Sequence, residues 1–488
     1  MTDEAAGLEQ AGLAEASAWL AAQADRIIST HVADVFLIGP HAYKLKKSVD
    51  YGYLDFSTRA KRAWAVDREL ALNRRTAPDV YLGACWIVRG PEGLAFDGPG
   101  EPLERVLRMR RFDPAAVLSN APETVEGAFA EALGRQIAKV HAAAPVDPAG
   151  AAAGLGYVIG SNASQLGALA ADLGADKTSA LLAATEAEFD RLASLLDARG
   201  GDGQVRLCHG DLHLGNIMAE QGRAVLFDCI EFNDRLAQID VLYDLAFLLM
   251  DLLHRGQTEG ANRVLNGYLD QAARAFGDAP LEGLAILPLC MAVRAAVRCH
   301  VSAHMGQMDE ARAYLDAALG HLAPGPVSLT AVGGLSGSGK STLARRLAPT
   351  LGRPPGAVVL RSDEIRKRLW GRAPTERLPP EAYGPGTSET VYGQMLREAR
   401  LALHAGQAVT LDAVFLRPTE RAAAEALARD TRAPFQGYWL ETPPEVMAAR
   451  LAARRGDASD ADQTVLDAQR GCDPGEIGWT RVQPSSSS

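Results

Sequence analysis

Apolar positions along the chain alternate between a period near 3.6 and a period of 2, and the changes mark out its elements. Residues 8–30 are rich in Ala and Leu at helical spacing and predict an amphipathic opening helix. Residues 35–39 and 42–46, separated by Pro40-His41, predict a hairpin. A charged helix is expected over 59–75, and a strand with interleaved arginines over 105–112. Helical spacing returns over 122–141 and 179–196, while the Ala/Gly-rich stretch 149–156 between them predicts a flexible connection. Two short apolar runs, 205–208 and 224–227, read as strands on either side of a loop, and 259–320 is helical throughout. Pro324-Gly325-Pro326 then breaks the pattern, so 322–326 is expected to link a first domain, 1–321, to a second, 327–483. The second domain opens with strand patterns at 327–332, 358–363 and 408–412, with helical patterns after the first two, and 484–488 is expected to be a disordered serine tail.

At 488 residues the chain is too long for one core, and a prior of about 150 residues per domain gives two or three. Hydrophobic residues make up 47% and charged residues 23%, the composition of an ordinary soluble protein. The net charge of −10 disfavours a general nucleic-acid binder. Residues 1–10 are acidic and lack the layout of a signal peptide, and the apolar run at 245–250 is far shorter than a membrane span. Six scattered cysteines without a C-x-x-C pair fit reduced thiols. A cytoplasmic protein without membrane association is expected.

The loop His209-Gly210-Asp211-Leu212-His213-Leu214-Gly215-Asn216, followed by Phe227-Asp228, carries the first candidate chemistry. Phosphoryl transfer needs a carboxylate to orient the acceptor hydroxyl and oxygen ligands for Mg2+. Asp211 is the candidate base, and Asn216 and Asp228 are candidate metal ligands. Upstream, side chains at i and i+2 of a strand share a face. Ala42 with Lys44 matches the small residue two places before a phosphate-anchoring lysine, so Lys44 is favoured and Lys46 is the runner-up. Glu69, on the predicted helix, is the candidate ion-pair partner of that lysine.

The run Gly334-Leu335-Ser336-Gly337-Ser338-Gly339-Lys340-Ser341-Thr342 has the form G-x-x-x-x-G-K-S between a strand and a helix, the context a P-loop requires. Gly334, Gly337 and Gly339 let backbone N–H groups curl round phosphates, with Thr342 closing the motif before a helix expected at 343–347. Lys340 would reach the outer phosphates and Ser341 would hold Mg2+. Two later strand patterns end in aspartates, which parallel topology would aim into the ligand crevice. Asp363 is the candidate base there and Asp412 the candidate metal partner, although both positions also suit helix capping. Arg450 and Arg454 stand four apart on a predicted helix and are read as lid arginines that neutralise phosphate charge.

H-G-D-x-x-x-x-N plus a following Asp resembles the aminoglycoside phosphotransferase family. The second half is similar to the small P-loop kinases that include gluconate kinase, polynucleotide kinase and the zeta toxins. Together, in this order, they resemble the bifunctional aminoglycoside phosphotransferase/ATP-binding protein family. The resemblance implies an α+β protein-kinase-like N-terminal domain, with a small β-rich lobe and a large helical lobe. An α/β P-loop NTPase domain with a parallel sheet would follow it. It also implies that Asp240 or Asp244 braces the catalytic loop. The implied activity is a double kinase using ATP and Mg2+, with a small-molecule acceptor such as a sugar, amino sugar or aminoglycoside. The alternatives are that one domain is a nucleotide-binding regulator of the other, or that the acceptor is a protein or nucleic acid.

Overall fold

A computed structural model describes residues 3–52, 54–147, 151–454 and 456–483. The expected serine tail 484–488 and residues 149–150 of the expected flexible connection lie outside the described residues. The chain packs into two compact units, one formed by Met1–Thr124, Ala144–Asp147 and Val205–Asp244, the other by Val125–Ala143, Pro148–Gln204 and Leu245–Ser488. Segment 323–328 carries no helix or strand. It lies inside the second unit, because the helices before it and the sheet after it share one packed body.

The first unit opens with helix α1 (Asp3–Ala21), which ends nine residues before the predicted boundary. The chain turns, and Ile27-Ile28 belong to strand β1 (Arg26–Ser29), which pairs antiparallel with β2 (Ala33–Ile38). The predicted hairpin is β2 with β3 (His41–Lys46). Helix α2 (Arg59–Asn73) follows, capped by the Thr58 hydroxyl, which accepts from the Lys61 N–H. Strands β4 (Tyr81–Gly90), β5 (Gly93–Phe96) and β6 (Glu101–Arg110) complete a sheet of order β1-β2-β3-β6-β4-β5. Alternation on β3 sorts its residues by face. Tyr43 and Leu45 pack with Leu13, Ala16 and Leu20 of α1, whereas Ala42 packs with Val66 of α2, Tyr81 and Met109. Lys44 and Lys46 share the Ala42 face and so point toward α2.

The second unit begins with α3 (Gly127–Ala143), α4 (Ala151–Ala168), α5 (Ala170–Leu173) and α6 (Ala175–Gly201). The flexible connection expected over 149–156 is instead helical from Ala151, since Leu155 and Val158 are buried core residues and Gly156 lies against Phe189 of α6. Back in the first unit, β7 (Val205–Leu207) leads into the catalytic-type loop. Beyond it, β8 (Ile217–Glu220) pairs with β9 (Arg223–Leu226), and α7 (Asp234–Ala237) precedes β10 (Gln238–Asp240). Helix α8 (Val241–His254) passes into the second unit, where α9 (Thr258–Phe276), α10 (Ala279–Glu282), α11 (Leu287–His304) and α12 (Met308–Leu322) follow.

Contrary to the sequence reading, one described helical run, Ala279–His304, is long and apolar enough by length and composition to cross a membrane; 72% of its apolar window is buried inside the protein. Helices α3 and α9 approach so closely that a Cβ on Gly134 would stand 2.1 Å from the Val264 carbonyl oxygen, and one on Gly267 2.3 Å from that of Glu131.

The remaining elements are β11 (Leu329–Gly334), α13 (Lys340–Leu347), β12 (Val358–Arg361), α14 (Ser362–Leu369) and α15 (Pro385–His404). After them come β13 (Val409–Asp412), α16 (Pro418–Thr431), β14 (Phe435–Leu440), α17 (Pro444–Ala453), α18 (Gln463–Arg470) and β15 (Thr480–Val482). The five strands are all parallel, in the order β12-β13-β11-β14-β15. The exposed backbone of edge strand β12 is covered by α9. Asn262 Nδ2 donates to the Ala357 carbonyl at 3.0 Å, and Asn266 Oδ1 accepts from the Val359 N–H at 2.7 Å.

Candidate active sites

In the first unit, Lys44 Nζ lies 2.7 Å from Glu69 Oε1 and 2.7 Å from Asp228 Oδ1. Lys46, fully buried, pairs instead with Glu69 Oε2 and Glu231 Oε1. Both lysines therefore meet Glu69, but only Lys44 reaches a candidate metal ligand. Burial opposes the charge on Lys44, yet Asp228 and Glu69 outweigh it and hold its pKa well above the ordinary lysine value. Burial likewise opposes the Glu69 carboxylate, and the two ammonium groups win, lowering its pKa.

The loop after β7 is held by its own backbone and by Asp244, of the two candidates. Asp244 Oδ2 accepts from the His209 N–H at 3.1 Å and Oδ1 from the Gly210 N–H at 2.8 Å. Asp240 instead caps the start of α8, accepting from the Leu242 N–H at 2.8 Å. Gly210 needs its freedom: φ is +84° and an added Cβ would sit 2.9 Å from the Leu236 carbonyl oxygen. His209 Nε2 donates to the Phe227 carbonyl at 2.9 Å, tying the loop to the strand that precedes Asp228, and burial lowers its pKa so that the ring stays neutral.

Asn216 Nδ2 donates to the Asp211 carbonyl at 2.9 Å and to Asp211 Oδ2 at 2.8 Å. With its amide nitrogen committed, Asn216 keeps its oxygen as the remaining acceptor. His213 Nε2 also lies 3.3 Å from Asp211 Oδ2. Asp228 adopts φ +63°, a conformation costly for a non-glycine residue. It is held there by the Tyr81 hydroxyl on its N–H at 3.0 Å, while the Asn73 side chain accepts from the next N–H at 2.9 Å. No spacing along the chain marks Tyr81, Asn73 or Glu231, the partner of Lys46. The Lys44–Lys46 spacing was the one available signal that a second buried acid was needed.

In the second unit, Lys340, Ser341, Thr342, Asp363, Asp412, Arg450 and Arg454 all line one cavity of about 1410 Å³, together with Gly337 and Gly339. Gly337 and Gly339 have φ of +82° and +97°, and a Cβ on Gly337 would stand 2.7 Å from the Met447 carbonyl oxygen. Lys340 Nζ donates to the Leu335 carbonyl at 2.9 Å, and burial lowers its pKa against the pull of Asp412 and Asp363.

Asp412 ends β13 as expected, but Asp363 does not end a strand. The strand stops at Arg361 and Asp363 sits in the first turn of α14, where burial raises its pKa despite the neighbouring Arg361. Arg450 lies on α17 and donates to the Ser338 carbonyl at 3.3 Å. Arg454 falls just past the helix, at ψ 131°, so the two do not share a helix face. Asp457, three residues further on, pairs with a buried arginine.

That arginine, Arg361, went unnoticed in the sequence. Its guanidinium reaches Asp412 Oδ2 and Ser341 Oγ, both at 3.2 Å, Asp457 Oδ1 at 3.0 Å and Glu364 Oε1 at 3.1 Å. A cation thus already bridges the two expected metal ligands.

Residues 57–283 match the model of the Phosphotransferase enzyme family, and residues 329–472 match that of the AAA domain. Uncharacterised proteins of Mycobacterium tuberculosis and Mycobacterium bovis are 33% identical over 459 residues, covering 90% of this chain and 88% of theirs. Among solved structures, a glucosamine kinase is 17% identical with a TM-score of 0.39, covering 61% of this chain and 76% of its own. A thermostable mutant of aminoglycoside phosphotransferase APH(4)-Ia is 14% identical at 0.38, covering 61% and 93%. The Mycobacterium tuberculosis APS kinase CysC is 20% identical at 0.23, covering 34% and 92%. These three likenesses are too distant to speak to substrate. The two matched segments and the near full-length relatives place the chain in the family that joins an aminoglycoside-phosphotransferase-type domain to a P-loop kinase-like domain, and the chain is a kinase.

Proposed function

We propose that the chain transfers phosphate from ATP to hydroxyl groups at two separate sites, with a small polyhydroxylated or amino-sugar-like molecule as acceptor in the first. The observation that carries this reading is Lys44, poised at 2.7 Å from both Glu69 and Asp228 while Asn216 is fastened to Asp211. The donor sets suit magnesium: an amide oxygen and a carboxylate in the first site, a hydroxyl and a carboxylate in the second, all hard oxygens. Asn216 and Asp228 would hold the ion in one, and Ser341 and Asp412 in the other. Bound there, Mg2+ would neutralise phosphate charge as the phosphoryl group moves.

The chain's own groups account for the rest. Lys44, kept cationic by its two acids, anchors phosphate oxygens. Asp211, oriented by the Asn216 amide, accepts the acceptor's hydroxyl proton. In the second site the glycine-rich backbone and Lys340 cradle phosphates, Asp363 takes the proton, and Arg450 and Arg454 face the cavity as counter-charges. The acidic balance of the chain suits a cationic or neutral acceptor better than a nucleic acid.

The test is ATP consumption by the full chain against a panel of sugars, amino sugars and aminoglycosides. Asp211→Ala and Lys340→Ala are each expected to remove a distinct phosphorylated product. If every product persists in both variants, the proposal fails.

A further inference from the structure

Two residues four apart on α3, Glu131 and Arg135, reach out of the helical bundle toward the P-loop site. Both lie in the segment that matches the phosphotransferase family, 57–283, and in the same compact unit as the P-loop. Glu131 accepts from Arg345 of α13 at 3.0 and 3.1 Å, and Arg263 of α9 steadies it at 3.1 Å. Arg135 Nη2 stands 3.1 Å from Glu364 Oε1 on α14 and 3.4 Å from Asp270 Oδ2 on α9. The same Glu364 oxygen is 3.1 Å from Arg361 Nη1. Arg361 in turn holds the Ser341 hydroxyl and the Asp412 carboxylate.

We infer that Arg135 is a positioning residue of the P-loop site, acting through Glu364 on Arg361. One carboxylate oxygen is divided between two guanidinium groups. While Arg135 takes its share, Arg361 is free to lean toward Ser341 and Asp412. Without Arg135, Glu364 Oε1 belongs to Arg361 alone, and charge attraction in a buried site draws Arg361 back toward α14. Glu364 also follows Asp363 directly in the first turn of α14, so the shift moves the proton acceptor as well. The glycine-rich loop is not part of this relay. Loss of Arg135 therefore acts on the metal-ligand and base geometry, and it leaves the phosphate cradle largely as it was. In this chain the phosphotransferase-type segment supplies part of the charge frame around the second kinase site.

The inference rests on the P-loop reading proposed above, and the experiment separates the two. In the full-length protein, turnover that Lys340→Ala abolishes is measured for the unsubstituted chain, R135Q, R135K, E364Q and the R135Q/E364Q pair. R135Q is expected to lower kcat at least tenfold with the KM for ATP changed less than threefold. R135K should recover part of that loss, and the double variant should be no worse than E364Q alone. Calorimetry of ATP binding with and without magnesium provides a readout apart from activity: R135Q should change the magnesium-dependent gain in affinity at least threefold, because it moves the cation that shares Ser341 and Asp412 with the metal. An R135Q protein with unchanged kcat and an unchanged magnesium gain overturns the inference. So does one in which kcat falls only in step with melting temperature and lysine restores nothing. If the unsubstituted chain shows no Lys340-dependent turnover, the P-loop kinase reading falls, and the magnesium-dependent affinity alone decides the role of Arg135.

Discussion

Lys44 and Lys46 stand two residues apart on one face of β3, yet their surroundings assign them different work. Lys44 keeps some solvent access and touches Asp228; Lys46 is 1% exposed and neutralises two buried acids. Removing one partner of a buried ion pair costs about 3–5 kcal/mol. Lys46→Met is therefore expected to lower stability by that order, because it leaves Glu231 buried without its main counter-charge. Lys44→Met is expected to unfold at nearly the same denaturant concentration but lose about a hundredfold or more in first-site turnover. Denaturation and product formation measured side by side on both variants check the division; a reversed pattern would make Lys46 the phosphate anchor.

At this scale the residues with a fixed spacing were legible. Asp211, Asn216 and Asp228 declare themselves because loop chemistry constrains neighbours along the chain. Arg361, Glu231 and Arg135 did not, because each acquires its meaning from a partner far away in sequence. An arginine ending a strand gives no signal that four acceptors converge on it.

Among the elements, hydrophobic period located many helices and strands but assigned none to Tyr81–Gly90, Pro385–His404, Pro418–Thr431 or Phe435–Leu440, and two segments assigned otherwise have physical causes. The opening helix stopped early because a run of isoleucines found an antiparallel partner in β2. The stretch after Ala151 is helical because burial against α6 outweighs a Gly/Ala composition that reads as a linker. The contact of α3 with α9 was not legible at all, since a glycine inside a helix reads as a weakness rather than a point of approach. Gly134→Ala is expected to destabilise the second unit by about 2–3 kcal/mol, because the new methyl would lie 2.1 Å from a backbone oxygen on the partner helix. Thermal unfolding should show a melting temperature lower by several degrees. An unchanged value would mean that the two helices separate easily, and the close approach would lose its significance.

For the molecule as a whole, composition indicated an acidic chain too long for one core, the two motifs led to the expectation of two nucleotide sites, and segment 323–328 lies inside the second packed unit. Acid should expose another property of the packed state. Burial, with neighbouring histidine charge, lowers the pKa values of His300 and His321 to about 4. The unfolded chain takes up those protons near pH 6.5, whereas the folded chain refuses them until about pH 4. Stability is thus lost as pH falls from about 6.5 toward about 4, by on the order of 2–3 kcal/mol for each ring at the lower end. The melting temperature should fall between pH 7 and pH 5, and His321→Leu should flatten that fall. An equally steep fall in the variant would exclude His321 as a source.

The side-chain amides of Asn262 and Asn266 close the open edge of β12 with bonds the strand would otherwise seek from another strand. A recombination event that exchanged the P-loop kinase-like domain for a different module would strand those amides against the wrong backbone and leave the transplanted sheet with a sticky margin. Chimeras joined at residue 325 should therefore aggregate unless both asparagines are replaced to suit the newcomer. The helix that carries the two asparagines and the P-loop sheet it covers are expected to change in concert, as a single heritable unit.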